Sequence, residues 1–248
     1  MLILALDTST RTGSMAALRD QRVLASIPNT SDQPYSITFF GDLEKLLSQV
    51  NLSIQQVDLF AVAVGPGSFT GLRVGLAAVK AWAESFSKPI AAVSCLEAMA
   101  SKILNVQAIP DGTLLAPVLD AGRGQVFGCI YRWNAVIDRL NAVTDELVLT
   151  ANEFFTLIED SFPGASDPLD AGVSPSLVLV SSAPELIRPA LENSALVSTP
   201  IVEVSSVLAG DIGRLGYAKA LRGELVDALA LDANYVLRPD AERKWKGK

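Results

Sequence analysis

The stretch that most constrains the fold covers residues 58–86 and reads DLFAVAVGPGSFTGLRVGLAAVKAWAESF. Residues 59–64 are a short apolar run of the length and β-branched content typical of a buried strand. The Gly-Pro-Gly sequence after them ends the strand, because glycine adopts backbone angles that other residues avoid and proline cannot donate to a strand ladder. Residues 70–86 follow a helical pattern that is apolar almost all round, and Ser68 or Thr70 can cap this helix. The sequence therefore predicts a buried strand, a glycine turn and a helix that is covered on most sides.

Two glycines in this predicted helix need an explanation, because each costs about 1 kcal/mol relative to alanine. Gly71 and Gly75 lie four residues apart on one helix face, which allows another backbone to approach closely. A glycine-rich turn into a helix can also cradle phosphate, but Leu72 and Arg73 stand where a P-loop has its lysine and hydroxyl pair. We therefore favour close packing over phosphate binding at these glycines.

The second half of the chain opens like the first half. The segments ILALDTSTRTGSMAALR and LAPVLDAGRGQVFGCIYR both read as a strand, an aspartate, a polar turn with glycine and a second strand. Two copies of a sheet with a crossover helix predict an α/β protein with the duplicated ribonuclease-H-like fold of actin and the sugar kinases (the ASKHA fold), with two lobes that each contain a mixed sheet. We place one lobe at residues 1–105 and the other at 106–248, and the last helix, at about 205–221, is free to pack back on the first lobe.

The first half predicts the element order βββαβαβα. Its strands are predicted at residues 2–6, 14–19, 23–27, 59–64 and 90–93, and its helices at 35–50, 70–86 and 95–104. In the second half the predicted strands are 114–119, 125–133 and 177–180, and the predicted helices are 152–160 and 205–221. Pro34 suits the first turn of its helix, and residues 161–175 read as a long surface loop.

Composition limits the chemistry that the chain can perform. The absence of histidine excludes histidine as a general base, as the partner of a nucleophile and as a metal ligand. Cys95 and Cys129 lie in apolar surroundings without CxxC spacing, which favours buried free thiols over a disulfide or a metal site. No apolar run reaches the ~18 residues that span a bilayer. Because the chain also starts directly with a strand pattern, we expect a cytoplasmic protein that does not enter a membrane.

The net charge of −7 argues against nucleic-acid binding by this chain alone, because affinity for a polyanion comes mainly from lysine and arginine. Residues 238–248 carry five basic and two acidic side chains, so this tail has a charge of +3 and the rest of the chain −10. The tail has two interpretations. It is simply solvated, or it contacts an acidic partner or RNA.

Asp7 and Asp120 are the candidates for chemistry, because both end strands at the place where α/β sheets commonly hold ligand groups. On one interpretation they form a paired-carboxylate metal site, with Thr8 and Ser9 as donors to phosphate. On the other, each carboxylate caps its own turn. The bulky sequence DTST lacks the glycines of a phosphate turn, and Pro184 removes an amide donor after a later strand. We favour capping, and we expect no catalytic residue, no cofactor and no metal.

Five segments carry a family resemblance: ILALDTST, GPGSFTGLRVG, SCLE, LDAGRGQVFGCIY and NYVLRP. Through them the chain resembles the TsaB family, also called YeaZ, bacterial partners in making threonylcarbamoyladenosine on tRNA. The resemblance implies the same actin-like fold and a non-catalytic scaffold or activator subunit that pairs with TsaD and with the ATPase TsaE. The resemblance further implies that the three proteins together transfer threonylcarbamoyl from an adenylate to adenosine in tRNA. This chain then meets tRNA only through the complex.

The chain departs from the family at Tyr35, where many TsaB sequences have a histidine. The catalytic paralogue TsaD needs histidines for its metal, and this chain has none. The departure removes metal-based activity without affecting the scaffold interpretation. The alternative function is an enzyme of the actin-like fold, an ATP-dependent kinase or acyl transferase that uses Asp7 and Asp120.

The helix predicted at 35–50 has more apolar surface than one core can cover, since its large side chains spread over about half of the helix cylinder and a single core needs a stripe of roughly 100°. The predicted partner-binding residues are Ile37, Phe39, Phe40, Leu43, Leu46 and Leu47, with Gly71, Leu72, Gly75 and Val79 on the neighbouring helix. A two-fold dimer can pair such a patch with itself, so we expect a homodimer when the chain is alone. The resemblance implies that TsaD docks on the same helix pair.

Overall fold

The computed structural model describes residues 1–10, 12–30, 33, 35–164 and 176–236, apart from the side chain of Ser36. Pro34, residues 165–175 of the predicted loop and the basic tail at 238–248 lie outside the described residues. The chain divides into two compact units. The first comprises Met1–Ala98 and the described chain from Ser206 onward, and the second is Met99–Ser205. The lobe boundary at residue 105 stays a prediction, since these units describe packing and not independent folding.

The first unit contains one mixed sheet. Its strands are β1 (Leu2–Asp7), β2 (Ser14–Arg19), β3 (Arg22–Pro28), β4 (Leu59–Gly65) and β5 (Ile90–Ser94). They lie in the order β3-β2-β1-β4-β5. β1 pairs antiparallel with β2 and parallel with β4, so that Leu4 lies opposite Ala17 on one side and Phe60 on the other. β3 continues the antiparallel side and β5 the parallel side.

Helices cover both faces of this sheet. They are α1 (Tyr35–Gln49), α2 (Phe69–Phe86) and α6 (Ala209–Leu221), and the unit boundary falls inside α3 (Cys95–Leu104). On one face, Leu4 and Phe60 pack in a buried core with Phe39 of α1 and Val79 of α2. On the other face, α6 lies against β1, β2, β4 and β5. Burial on both faces explains why the central strands are apolar throughout.

Helix α6 approaches the sheet closely, because a Cβ on Gly216 would come within 2.7 Å of the Cβ of Ala61. The helix begins at Ala209, whose backbone N–H donates to the Ser14 hydroxyl of β2 at 3.1 Å. The first amide of the helix is thus satisfied by a different element of the fold, which helps to explain why the helix starts later than the predicted residue 205.

The second unit contains β6 (Leu114–Gly122), β7 (Gln125–Gly128), β8 (Tyr131–Asn134), β9 (Arg139–Ala142), β10 (Leu147–Thr150), β11 (Leu177–Ser181) and β12 (Ile201–Glu203), with α4 (Ala151–Ser161) and α5 (Arg188–Leu191). The path through its sheet is β10-β7-β6-β11-β12. β6 pairs antiparallel with β7 and parallel with β11, while β10 extends the antiparallel side and β12 the parallel side. Strand order and direction repeat those of the first sheet, so the predicted duplicated ribonuclease-H-like fold with mixed sheets is confirmed.

The other predicted elements are present with small shifts at their ends, but the single strand predicted at 125–133 is wrong. This segment forms two strands, because its two halves pair with different parts of β6. β7 pairs with β6 near Leu119, and β8 pairs with β6 near Leu115. β9, β10 and β12 have no counterpart in the sequence prediction, since they are short and show no clear apolar alternation. None of the described helices is long and apolar enough to cross a membrane.

Candidate functional site

The end of β1 and the loop after it hold the predicted candidates Asp7, Thr8 and Ser9. All three are buried, with 0%, 1% and 2% of their surface exposed. The Asp7 Oδ1 atom accepts a hydrogen bond from the Ser9 backbone N–H at 2.9 Å and another from the Ser9 hydroxyl at 2.6 Å. Asp7 therefore caps its own turn, and the Ser9 hydroxyl takes part in that cap instead of facing a ligand.

Helix α2 packs directly on this loop. The Ser68 N–H donates to the Ser9 carbonyl oxygen at 2.6 Å, and the Ser68 hydroxyl caps α2 by accepting from the Gly71 N–H. A Cβ on Gly75 would come within 2.5 Å of the Thr8 hydroxyl oxygen, and a Cβ on Gly71 would overlap the Thr8 carbonyl oxygen. Close packing as the reason for these glycines is confirmed. Thr8 and Ser9 are thus buried beneath α2, whereas Thr10 is half-buried and Thr12 is exposed.

Tyr35, at the start of α1, adds a buried phenol to the same region. It is 7% exposed, and its hydroxyl makes no hydrogen bond to any of the described residues. Burial raises the pKa of Tyr35, and the nearby charges of Asp42 and Asp7 raise it further. The phenol is therefore neutral in the folded chain at physiological pH.

Asp120 lies in the second unit and is exposed. Its Oδ1 atom accepts from the Gly122 backbone N–H at 2.7 Å, which is a cap of its own turn. Among the described residues no group of three or more His, Cys, Asp or Glu side chains is placed to hold a metal ion. Both carboxylates thus make the local contact that the sequence favoured.

The predicted partner-binding residues of α1 divide into two sets. Phe39, Leu43 and Leu46 are 1%, 8% and 0% exposed and lie in the core of the first unit. Ile37 and Phe40, in contrast, are 65% and 68% exposed. The outward face of α1 therefore carries two large apolar side chains, while its inward face fills the core.

The remaining predicted partner-binding residues lie deeper. Leu47 of α1 is half-buried and packs against the core. Gly71 of α2 is also half-buried. Leu72, Gly75 and Val79 of α2 are buried. Of the ten predicted partner-binding residues, Ile37 and Phe40 are therefore the two that are exposed.

The chain after α6 brings the motif NYVLRP next to the Gly-Pro-Gly turn at residues 65–67. The Asn234 N–H donates to the Val64 carbonyl oxygen at 2.7 Å. Gly65 has a φ of +122°, and a Cβ there would come within 2.6 Å of the Asn234 carbonyl oxygen, so only glycine fits. The part of NYVLRP that the structure describes, residues 234–236, therefore lies beside the GPG turn.

This contact brings together three residues that sequence reasoning did not select: Phe69, Arg73 and Tyr235. The Tyr235 ring lies 4.9 Å from the Phe69 ring, and the Arg73 Nε donates to the Tyr235 hydroxyl oxygen at 3.2 Å. Both motifs are visible in the sequence. Nothing local shows that they touch, because 162 residues separate Arg73 from Tyr235.

Comparison with known proteins identifies the family. A family model described as "TsaD: tRNA N6-adenosine threonylcarbamoyltransferase" matches residues 26–157. The chain is 30% identical over 246 residues to the "tRNA threonylcarbamoyladenosine biosynthesis protein TsaB" of Bacillus subtilis (strain 168), covering 99% of this chain and 98% of that protein. This chain belongs to the TsaB family.

A further relative and a solved structure are also similar to this chain. A "tRNA N6-adenosine threonylcarbamoyltransferase" of Thermodesulfovibrio yellowstonii is 28% identical over 142 residues, but these cover 51% of this chain and only 43% of that protein. The solved structure of YeaZ from Pseudomonas aeruginosa superposes with a TM-score of 0.69 at 23% identity, over 94% of this chain and 99% of that chain, which shows the shared fold. The TsaB resemblance carried by the five sequence segments is confirmed.

Proposed function

We propose that this TsaB-family chain is a non-catalytic scaffold or activator subunit in the synthesis of threonylcarbamoyladenosine on tRNA. It pairs with TsaD and TsaE, meets tRNA only through that complex and works in the cytoplasm. The Bacillus subtilis relative, matched over nearly its whole length, is named as a biosynthesis protein for this modification, which supports the assignment. The match of residues 26–157 to the TsaD model supports common ancestry with the proposed partner.

The observation that carries the scaffold role is the exposure of Ile37 and Phe40. These side chains lie three residues apart, so they share one face of α1 and form a continuous apolar surface. Two large apolar side chains about two-thirds exposed on one helix are typical of an interaction site. Phe40 contacts the buried Phe39 ring at 5.3 Å, and Phe39 in turn stacks on Trp82 of α2 at 5.9 Å.

The buried loop after β1 supports the non-catalytic part of the proposal. An ATP-dependent kinase or acyl transferase would need the Asp7 turn open to phosphate and metal, whereas Thr8 and Ser9 are buried under α2. We expect calorimetry with ATP and magnesium to show no binding in the micromolar range. Micromolar binding that Asp7→Asn abolishes would favour the enzyme instead.

The same α1 surface is proposed to pair with itself when the chain is alone. A two-fold dimer places the Ile37 and Phe40 patch of one copy against that of the other. TsaD then replaces the second copy, because one surface cannot hold both partners at once. Gel filtration of the chain with increasing TsaD is expected to show homodimer giving way to heterodimer.

The deciding experiment compares Phe40→Asp with a matched control, Val136→Asp. Val136 is also apolar and exposed, at 87%, but lies on the second unit between β8 and β9. We expect both variants to fold. Phe40→Asp should lose binding to TsaD in a calorimetric titration and lower the modification of tRNA in the reconstituted system. Val136→Asp should keep both. If Phe40→Asp binds TsaD as the parent chain does, the α1 surface is not the interface and the proposal fails.

A further inference from the structure

Arg73 is an exposed arginine whose side chain is held on two sides. Its guanidinium carbon lies 3.8 Å from the centroid of the Phe69 ring, one helical turn earlier on α2. Its Nε donates to the Tyr235 hydroxyl oxygen at 3.2 Å, and the Tyr235 ring packs against Phe69. An exposed arginine normally samples many rotamers, so this arrangement fixes the plane and direction of the guanidinium before any partner arrives.

The fixed guanidinium has unused donors. Its terminal nitrogens make no hydrogen bond or ion pair with any residue that the structure describes. Other held arginines of the first unit differ, since Arg214 pairs with Asp211 at 3.0 Å and Arg222 with Glu224 at 2.9 Å. Aromatic rings, not a carboxylate, thus hold Arg73.

The Tyr235 hydroxyl adds a further donor. Its oxygen accepts from the Arg73 Nε, so its own proton remains available, and it makes no other hydrogen bond to the described residues. The guanidinium end and the phenol O–H are adjacent, and neither offers a negatively charged acceptor. A set of fixed donors of this kind fits an anionic group.

We propose that Phe69, Arg73 and Tyr235 form an anchor that binds a carboxylate of a partner protein. The proposal rests on the proposed function, in which the chain is a subunit that pairs with TsaD, and it gives the complex a second, polar contact apart from the apolar surface of α1. The two terminal nitrogens of Arg73 match the two oxygens of an Asp or Glu side chain, and the Tyr235 O–H can donate to one of them.

A carboxylate is favoured over RNA phosphate by the charge of the chain. Binding to a nucleic acid backbone draws on several cations along the path of the strand, whereas the anchor supplies one, on a chain whose net charge is −7. A single fixed guanidinium instead suits one localised carboxylate. RNA is kept as the competing outcome of the test, because the basic tail at 238–248 follows Tyr235 closely in the sequence.

The test titrates TsaD into the full chain and into five variants by calorimetry. Arg73→Ala is expected to weaken binding about tenfold or more, as for the loss of a charged hydrogen-bonded pair. Arg73→Glu should be weaker still, Arg73→Lys should recover only part of the affinity, and Tyr235→Phe should lose a smaller factor. Arg22→Ala, an exposed arginine of β3, is the matched control and should bind as the parent chain does.

Four results would overturn the anchor. If Arg73→Ala and Arg73→Lys keep full affinity while Phe40→Asp loses TsaD, the anchor is absent and the proposed function stands. If the Arg73 and Tyr235 variants lose affinity only in proportion to a lowered unfolding temperature, the three residues act on stability alone. If TsaD affinity is unchanged but the assembled complex binds tRNA more weakly and with a flatter salt dependence, the anion is RNA phosphate. If Phe40→Asp and Arg73→Ala both bind TsaD fully, the proposed function fails together with the anchor.

Discussion

The carbonyl oxygen of Thr8 occupies the space in which a Cβ of Gly71 would lie. The Thr8 carbonyl oxygen and the Gly71 Cα both belong to the backbone, so neither can move aside as a flexible side chain can. The contact joins the chain just after β1 to the first turn of α2, where Thr8 and Ser9 are buried. Gly71 thus lets α2 pack closely on the chain that follows β1.

Gly71→Ala is therefore expected to destabilise the fold by roughly 1–3 kcal/mol, the usual cost of overpacking, although alanine is the better helix former. Gly41 in α1 provides the control, since nothing lies within 4 Å of a Cβ there. Gly41→Ala should stabilise the chain by up to about 1 kcal/mol. Urea unfolding of both variants measures the difference. Equal stability of the two would contradict the close contact.

Leu46→Asp and Phe40→Asp should behave differently, although both residues belong to the apolar arc of α1. Leu46 is 0% exposed and Phe40 is 68% exposed. An unpaired carboxylate at Leu46 would be buried in the core, so we expect this variant to unfold, whereas Phe40→Asp should keep the parent circular dichroism spectrum. A folded, cooperative Leu46→Asp protein would show that α1 does not pack as described.

Ser14→Ala tests the cap that β2 provides for α6. Removing the hydroxyl leaves the buried Ala209 N–H without its acceptor, which should cost about 1–3 kcal/mol. Ser26→Ala on β3 removes a hydroxyl of an exposed residue that donates to the Met15 carbonyl oxygen at 3.3 Å, and it should cost less than loss of the buried cap, about 0.5 kcal/mol. Guanidinium unfolding followed by circular dichroism compares the free energies of unfolding of the two variants. A Ser14→Ala protein as stable as Ser26→Ala would rule out a contribution from the cap.

Tyr35 should make the fold sensitive to alkali. Because burial raises its pKa in the folded state above the ordinary value of about 10, both states are protonated below that pH and stability is unaffected. Above it, the unfolded chain loses the proton first, so stability falls as the pH rises. Tyr35→Phe should be at least as stable at neutral pH, since the buried hydroxyl has no partner among the described residues, and should lose less stability in alkali.

Tyr217→Phe, which removes a half-buried phenol from α6, is the control for this pH series. Stability is measured by urea unfolding at several values on either side of the ordinary tyrosine pKa. If Tyr35→Phe and the parent chain lose stability in parallel, burial of this phenol does not couple folding to pH.

Local pattern was sufficient for the elements that frame the loop after β1. The apolar run of β4, the Ser68 cap and the glycine spacing of α2 are each readable within one or two turns of chain, and the structure has all three. The capping role of Asp7 was also predictable, because it depends on residues two positions away. The internal repeat predicted the duplicated fold, since strand order follows from the order of elements along each half.

Only the tertiary structure decided what depends on partners distant in sequence. The wheel of α1 places Leu46 and Phe40 at opposite edges of one apolar arc, and nothing in the pattern says which edge meets the sheet. The same limit hid the split of β7 from β8, which follows from where each strand pairs along β6. It also hid the contact of Arg73 with Tyr235, since a hydrogen bond across 162 residues exists only once β4, α2 and the chain after α6 have been packed together.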